Sequence, residues 1–403
     1  MSSLRILSYN TQLRSWAMEI GMPPTIPPKI TAEDRAGFIA DNILASDFDY
    51  DIVGLCEVFD EDAREILVSK LRGRFPHIVG KADYDYVDLH QPSGDLTLGL
   101  MAQWHLLGIV EVESSWRLED SGLMLFSKWP FATLGTAGLD PAVIALSEFA
   151  GYPVPAVVPA VNFLPFEDTT GNDSNAAKGC LYARVERFPG VFTHMFFSHT
   201  QADTEVLEEN RGTRTTQIGK VAKFIELNTG GVPFSGEVFF MGDLNISGEL
   251  AGNADLVKDP PSEWTGDFLH LGNLLSDFAV DLWGRRQCVG GKDGLRDTGV
   301  SATVRYPPRQ QRLDYVFGST SSGLAAQHLM IDRVLAQPPP GHDGISYLSD
   351  HRPLRLELAP PRTNSTPAEA FRVPNDPATF TTNGQEWLLE GQVMWFRFDR
   401  AGT

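Results

Sequence analysis

No apolar run in the 403 residues is long enough to cross a bilayer, so no membrane-spanning helix is expected. Cysteine is scarce. Cys56, Cys180 and Cys288 have spacings that make neither a disulfide framework nor a metal knuckle, and they are expected as structural thiols. Basic residues are also few: 33 Lys and Arg stand against 52 Asp and Glu, a formal net charge of −19. A protein that holds nucleic acid mainly by neutralising phosphates needs a dense cationic footprint, which makes nucleic acid the less favoured partner. The opening residues lack the basic and apolar regions of a secretion signal and already read as a strand. As the sequence stands a cytoplasmic protein is expected, or a secreted one if a leader has been removed.

What is present is the composition of a globular protein, 42% apolar and 21% charged. The length exceeds the usual prior of roughly 150 residues per domain, yet large layered sandwiches reach it as one unit. Residues 4–9 alternate as a strand that ends at Asn10, placing that amide at a strand's carboxyl end. Thr31 with Asp34 resembles a capping box, and Phe38, Ile39 and Ile43 give the helix that follows one apolar face. The apolar run 52–56 stops at Glu57, and a carboxylate directly after a buried strand is seldom there for packing. Helices are expected over 60–71 and 208–227, and strands over 122–126, 181–186, 192–198, 238–241, 313–317 and 354–358. This α/β alternation suggests two mixed sheets packed face to face with helices outside, a four-layer α/β/β/α sandwich. Residues 1–360 would form it, with insertions at about 83–116 and 137–166. Residues 361–403 read as an extension packed on it, ending in Trp395, Phe396 and Phe398.

Several polar groups fall at strand ends. In Met241-Gly242-Asp243-Leu244-Asn245 an apolar strand ends in an acid and an amide two apart; in extended chain both face one way and can reach one phosphoryl group. A simple Asx turn is the alternative. Ser349-Asp350-His351 places an acid beside an imidazole, a group that titrates near neutrality. His199 ends the strand from Phe192. Asp314, between apolar neighbours, needs a partner if buried; an imidazolium would suit it, and a local backbone amide is the alternative.

These pieces together resemble the endonuclease/exonuclease/phosphatase superfamily. Asn10, Glu57, the Gly242 to Asn245 motif, the Leu313 to Tyr315 motif and the Ser349 to His351 motif occur in its order. Within it the chain is most similar to neutral sphingomyelinases of the bacterial type. That likeness rests on Glu57 to Asp60, on Asp120 to Gly122 leading to Ser127-Lys128-Trp129-Pro130, on Ala177-Lys178-Gly179 and on His199 to Ala202. It departs in one place: those enzymes carry an aromatic membrane hairpin before the final Asp and His, whereas residues 337–348 here are short and proline-rich.

The resemblance implies the four-layer, DNase I-like sandwich and a hydrolase of phosphodiesters, with a phospholipid as the substrate class and peripheral membrane contact. A nuclease or a phosphatase of a soluble ester is the alternative, and an inactive binding module a remote one. It implies Mg²⁺, for which Mn²⁺ or Co²⁺ would substitute, held by Glu57, Asn10 and Asp350. His351 oriented by Asp314, or else Asp243, would activate water; Asn245 would orient nucleophile or phosphate, and His199 would bond a phosphoryl oxygen. A peripheral metal is expected near Glu61, Glu119 and Asp120. Lys178 would bind substrate, and the apolar content of the two insertions offers Phe149, Phe163 and Trp104, with Trp116, as walls of a lipid site; core packing is the alternative.

Overall fold

The computed structural model describes residues 3–14, 30–106, 117–202, 207–230, 236–246, 279–281, 300–301, 311–319, 325–331, 335, 337–339, 348–359, 378–382, 385–390 and 393–396. Strands and helices alternate at the start: β1 (Leu4–Leu13), α1 (Ala32–Ala45), β2 (Ile52–Val58), α2 (Glu61–Leu71) and β3 (His77–Ala82). There follow β4 (Tyr86–His90), β5 (Leu96–Gly99), α3 (Leu100–Leu106), β6 (Met124–Ser127), β7 (Thr133–Gly135), α4 (Pro141–Phe149), β8 (Val157–Pro159) and β9 (Val161–Pro165). The middle holds β10 (Gly179–Phe188), β11 (Val191–His199), α5 (Leu207–Thr229) and β12 (Glu237–Asp243). Then come β13 (Ala279–Asp281), β14 (Val300–Ser301), β15 (Gln311–Arg312), β16 (Asp314–Ser319), β17 (Ala325–Ile331) and β18 (Leu354–Ala359).

Two sheets dominate. One is eight-stranded in the order β17-β18-β1-β2-β6-β3-β4-β5, the other six-stranded in the order β13-β16-β12-β11-β10-β9. Alternation along β1 explains the layering. Leu4 and Ile6 enter the cluster that also holds Phe197, Phe239 and Met241 of the second sheet, while Leu7 and Tyr9 face the cluster containing Ile39, Ile43 and Leu67 of α1 and α2. On the far side Ile218, Val221 and Phe224 of α5 cover Phe196, Phe240 and Tyr315. The result is the expected four-layer sandwich. Burial of each such side chain contributes about 1.5–3 kcal/mol.

The expected cap at Thr31 forms, and Asp60 caps the next helix. Thr31 accepts from the Asp34 amide at 3.1 Å, and Asp60 from the Ala63 amide at 2.9 Å, each worth about 1 kcal/mol to its helix. The two stretches expected as insertions are part of the scaffold. Residues 83–116 supply β4 and β5 to the large sheet, and 137–166 supply β9 to the other. In the extension, β19 (Ala378–Thr382), β20 (Gln385–Glu390) and β21 (Val393–Phe396) form a separate three-stranded sheet. Trp116 and Phe398 lie outside the described residues.

Candidate active site

The polar strand ends of the two sheets meet. In the second sheet register places His199 beside Asp243 and Asp243 beside Asp314, so β11, β12 and β16 present them in a row. The larger sheet contributes Asn10 of β1, Glu57 of β2 and His351 just before β18. β1 runs on to Leu13, past the expected end at Asn10, and its pairing with β2 shifts register between the two.

Hydrogen bonds join the halves. The Asn10 amide donates to Glu57 Oε1 and to Asp243 Oδ2, both at 2.9 Å. His351 Nδ1 lies 2.8 Å from Asp314 Oδ2, and its Nε2 lies 3.5 Å from Asp243 Oδ2. His199 Nε2 stands 3.7 Å from Glu57 and 3.8 Å from Asp243. All six residues are under a tenth exposed. Local backbone makes the approach possible. Gly242 has φ +136, and a Cβ there would stand 1.9 Å from the Ser198 carbonyl oxygen, so no other residue fits between β11 and β12. Glu57 and Asn245 also sit at positive φ, which ends the strand alternation where each side chain is needed.

Charges are unevenly matched. Burial would push the His351 pKa down, but Asp314 first and Asp243 next hold it well above the ordinary value. Burial raises Asp243 to about 6, against the pull of His351. Burial would raise Glu57 as well, yet Arg14 and then His199 hold it well below the carboxylate range. His199 moves the other way, driven down by burial and then by the charge of Lys178.

Some expected residues sit elsewhere. Asp350 belongs to neither candidate ligand cluster, and Gln12 Nε2 donates to its Oδ2 at 2.8 Å. Asn245 does not point with Asp243: its backbone amide bonds Asp243 Oδ1 in an Asx turn, and its side chain donates to the Thr200 carbonyl at 3.1 Å. Lys178 is buried behind the site, its ammonium 3.1 Å from His199 Nε2, 2.8 Å from Asp173 and 2.9 Å from the Thr200 carbonyl oxygen. Phe163 does not wall a lipid site, because it is fully buried in the inter-sheet core; Trp104 packs on that core, its indole NH 3.4 Å from the Phe163 carbonyl oxygen. Phe149 lies at the end of α4, 93% exposed. The residues expected to hold a peripheral metal have partners of their own. Asp120 pairs with Arg64 at 2.6 Å, Glu61 with Arg64 at 3.1 Å and with Lys81 at 3.0 Å, and Glu119 stands in an isolated bridge with Ala176. Two cations already occupy that rim.

Sequence reasoning missed Arg14, whose Nε donates to Glu57 Oε2 at 3.0 Å, and Asp173 and Gln12. A cation four residues after Asn10, directly past the end of β1, was the available signal for Arg14.

Among the described residues two groups offer ligand atoms within 4.8 Å of one another: Glu57, His199 and Asp243, and Asp243, Asp314 and His351. Carboxylate oxygens with at most one imidazole suit a hard divalent cation such as Mg²⁺, and four buried acids here face fewer cations than they need. Fold and site define a layered α/β protein with an acid and imidazole centre of the metal-binding type at the sheet ends. The match to the Endonuclease/Exonuclease/phosphatase family spans residues 7–351, and the chain belongs to that family.

Among curated relatives, Sphingomyelinase C of Bacillus cereus is 25% identical over 215 residues, covering 52% of this chain and 50% of that protein. Sphingomyelinase C of Listeria ivanovii is 24% identical over 215 residues, 52% of this chain and 49% of that one. The chain spans about half the length of the curated relatives it matches. Among solved structures, a beta toxin variant from Staphylococcus aureus with bound magnesium ions superposes with a TM-score of 0.53 at 18% identity, covering 88% of this chain and 99% of that one. Sphingomyelinase C from Streptomyces griseocarneus gives 0.52 at 17%, covering 89% and 100%. At these identities the structural likeness bears on the fold.

Proposed function

We propose that the chain is a Mg²⁺-dependent phosphodiesterase that hydrolyses a phospholipid in the manner of a sphingomyelinase, releasing a phosphorylated headgroup. The observation that carries the reading is the chain of contacts Asp314, His351, Asp243, Asn10, Glu57, which crosses from one sheet to the other at 2.8, 3.5, 2.9 and 2.9 Å. Similarity to two sphingomyelinases supports the substrate class.

Glu57, Asp243 and His199 would hold the cation, which supplies positive charge to the phosphate oxygens. Asp314 fixes the His351 ring through Nδ1 and so turns Nε2 toward Asp243. The Asp243 and His351 pair takes the proton of the attacking water as one coupled unit. Asn10, bonded to both Glu57 and Asp243, keeps the two acids at a fixed separation. In-line displacement requires mainly such positioning and charge stabilisation.

The test is a panel of long-chain sphingomyelin, lysophospholipid, a short chromogenic phosphodiester and single- and double-stranded DNA, each with Mg²⁺ and with excess chelator. Turnover of the choline lipids that chelation abolishes and Mg²⁺ or Mn²⁺ restores is expected. Full activity in chelator, or turnover of DNA alone, would reject the reading.

A further inference from the structure

Among the described residues four that are not glycine stand at positive φ, and three of them, Gln12, Glu57 and Asn245, lie at the strand ends of the candidate site. Gln12, at φ +52, is unusual there, because its long side chain gains none of the local bonding that lets Asn and Asp adopt the left-handed region. The strain has a local result. From Asn10 to Leu13 β1 takes three steps where β2 takes two, from Cys56 to Val58, so one extra residue bulges out of the pairing. The Gln12 N–H then turns back and donates to Asn10 Oδ1 at 3.1 Å. β12 ends in the same way, with Asn245 at φ +50 and its N–H on Asp243 Oδ1 at 2.9 Å. Asn10 and Asp243, the two residues so held, are the pair that bridges the sheets at 2.9 Å. Gln12 makes two further bonds. Its side-chain amide donates to Asp350 Oδ2 at 2.8 Å, and its carbonyl accepts from Arg35 Nη2 at 2.7 Å. Arg35 also bonds the Leu348 carbonyl, and Ser349 Oγ donates to the Asn10 carbonyl while accepting the His351 N–H at 3.1 Å. The segment that delivers His351 is thus tied to the end of β1 at three consecutive residues, once through Arg35.

Resting on the reading of this site as a metal-dependent phosphoesterase, we infer that Gln12 is a positioning residue for both halves of the centre. Its N–H fixes which way the Asn10 amide faces, and its side chain fixes the loop that carries His351. With Oδ1 taken by the Gln12 N–H, Asn10 offers Nδ2 to Glu57 and Asp243, so both acids meet a donor instead of a lone pair. With Asp350 held, the backbone next to His351 cannot turn without breaking that bond, and Nε2 stays aimed at Asp243. Backbone strain of this kind persists only where the surroundings over-determine it, and it clusters where the geometry of a site is being set. The bulge in β1 is therefore the device that joins the Asn10 side of the centre to the His351 side.

Two substitutions in the full chain separate the backbone from the side chain. Gln12→Gly keeps the N–H and adopts positive φ freely, but removes the bond to Asp350. Gln12→Val is β-branched and resists positive φ, so it works against the turn as well. With a short chromogenic phosphodiester in saturating Mg²⁺, Gln12→Gly should lose about tenfold in kcat at unchanged KM, the equivalent of one hydrogen bond to a carboxylate. Gln12→Val should lose about 10²-fold. In the metal-free chain with labelled asparagine, the Asn10 side-chain amide protons should exchange slowly in wild type and in Gln12→Gly, and fast in Gln12→Val. Wild-type kcat in Gln12→Gly overturns the role of the side chain. So does a loss that comes with a raised KM and a lowered denaturation midpoint, which would make Gln12 a residue of the fold alone. Fast exchange in wild type, or slow exchange in Gln12→Val, overturns the role of the turn. Should wild type hydrolyse no phosphodiester, the functional reading falls, and the exchange measurement still decides whether Gln12 orients Asn10. Should Gln12→Val not fold, Gln12→Ala, which resists positive φ less, takes its place with the same expectations at smaller amplitude.

Discussion

Two groups of acids differ in their cations, one where the polar strand ends of the two sheets meet, the other at the rim beside α2 and β3. At the strand ends Glu57, Asp243, Asp314 and Asp350 are buried or nearly so, with Arg14 and His351 set directly against them. At the rim Glu61 and Asp120 meet Arg64 and Lys81, one fixed positive charge for each negative one, at 2.6 to 3.6 Å. Acid content alone would make both sites attractive to a metal. What separates them is the balance: the rim is closed by its own side chains, whereas the strand-end group has charge left over for a ligand to neutralise.

The contrast is most open to attack through catalysis. His351→Ala or Asp314→Ala should lower kcat by about 10²–10⁴-fold, and the double variant should fall little further, since the ring and its carboxylate act as one unit. Glu61→Gln at the rim should leave kcat unchanged. Additive losses at His351 and Asp314 would separate the pair, and a comparable loss at Glu61 would erase the distinction between the two groups.

A smaller effect is expected in stability. Arg64→Ala strands the buried Asp120 carboxylate and should destabilise the fold by about 3–5 kcal/mol in denaturant titrations. A change under about 1 kcal/mol would mean that the rim acids do not depend on Arg64.

The smallest effect serves as a control for acid-induced unfolding away from either group. His194 is buried against Tyr182, its Nδ1 3.0 Å from the phenol oxygen, and burial first and Arg184 next hold its pKa down at about 4. Because the folded value lies below the unfolded one, its contribution is complete above about pH 6.5 and is lost as pH falls toward 4. At pH 5 the loss is roughly 2 kcal/mol. His194→Gln should flatten stability over that window without altering kcat at pH 7.5, and an unchanged slope would assign the acid sensitivity to other groups.

The layering was legible because it rests on local patterns. Alternation in β1 and capping by Thr31 are short-range properties, and strand ends at Glu57 and Asp243 follow from apolar runs that stop at an acid. The pairing of His351 with Asp314 was also anticipated, since a buried acid between apolar neighbours requires a partner. Three things were not legible. Alternation fails at Asn245, where positive φ turns the amide to Thr200, so two residues in i and i+2 positions part company. Apolar composition does not distinguish a pocket wall from a core strand, and Phe163 proved to be the latter. The neutralisation of Glu61 and Asp120 depends on Lys81, an ordinary charged residue of β3 whose role appears only when β3 lies beside α2.

The insertion of β18 between β17 and β1 has a consequence for how the protein comes into being. Arg35, buried on α1, fastens the carbonyls of Thr11 and Gln12 to that of Leu348, a contact spanning 313 residues. During synthesis β1 and β2 can pair early, yet β1 keeps an open edge until the chain has emerged through residue 359. Closing that edge is a long-range event and therefore slow, and it is the same event that sets His351 against Asp314. Completion of the sheet and assembly of the His351–Asp314 pair thus coincide, so a nascent or truncated chain that exposes a sticky edge is also one that lacks that pair.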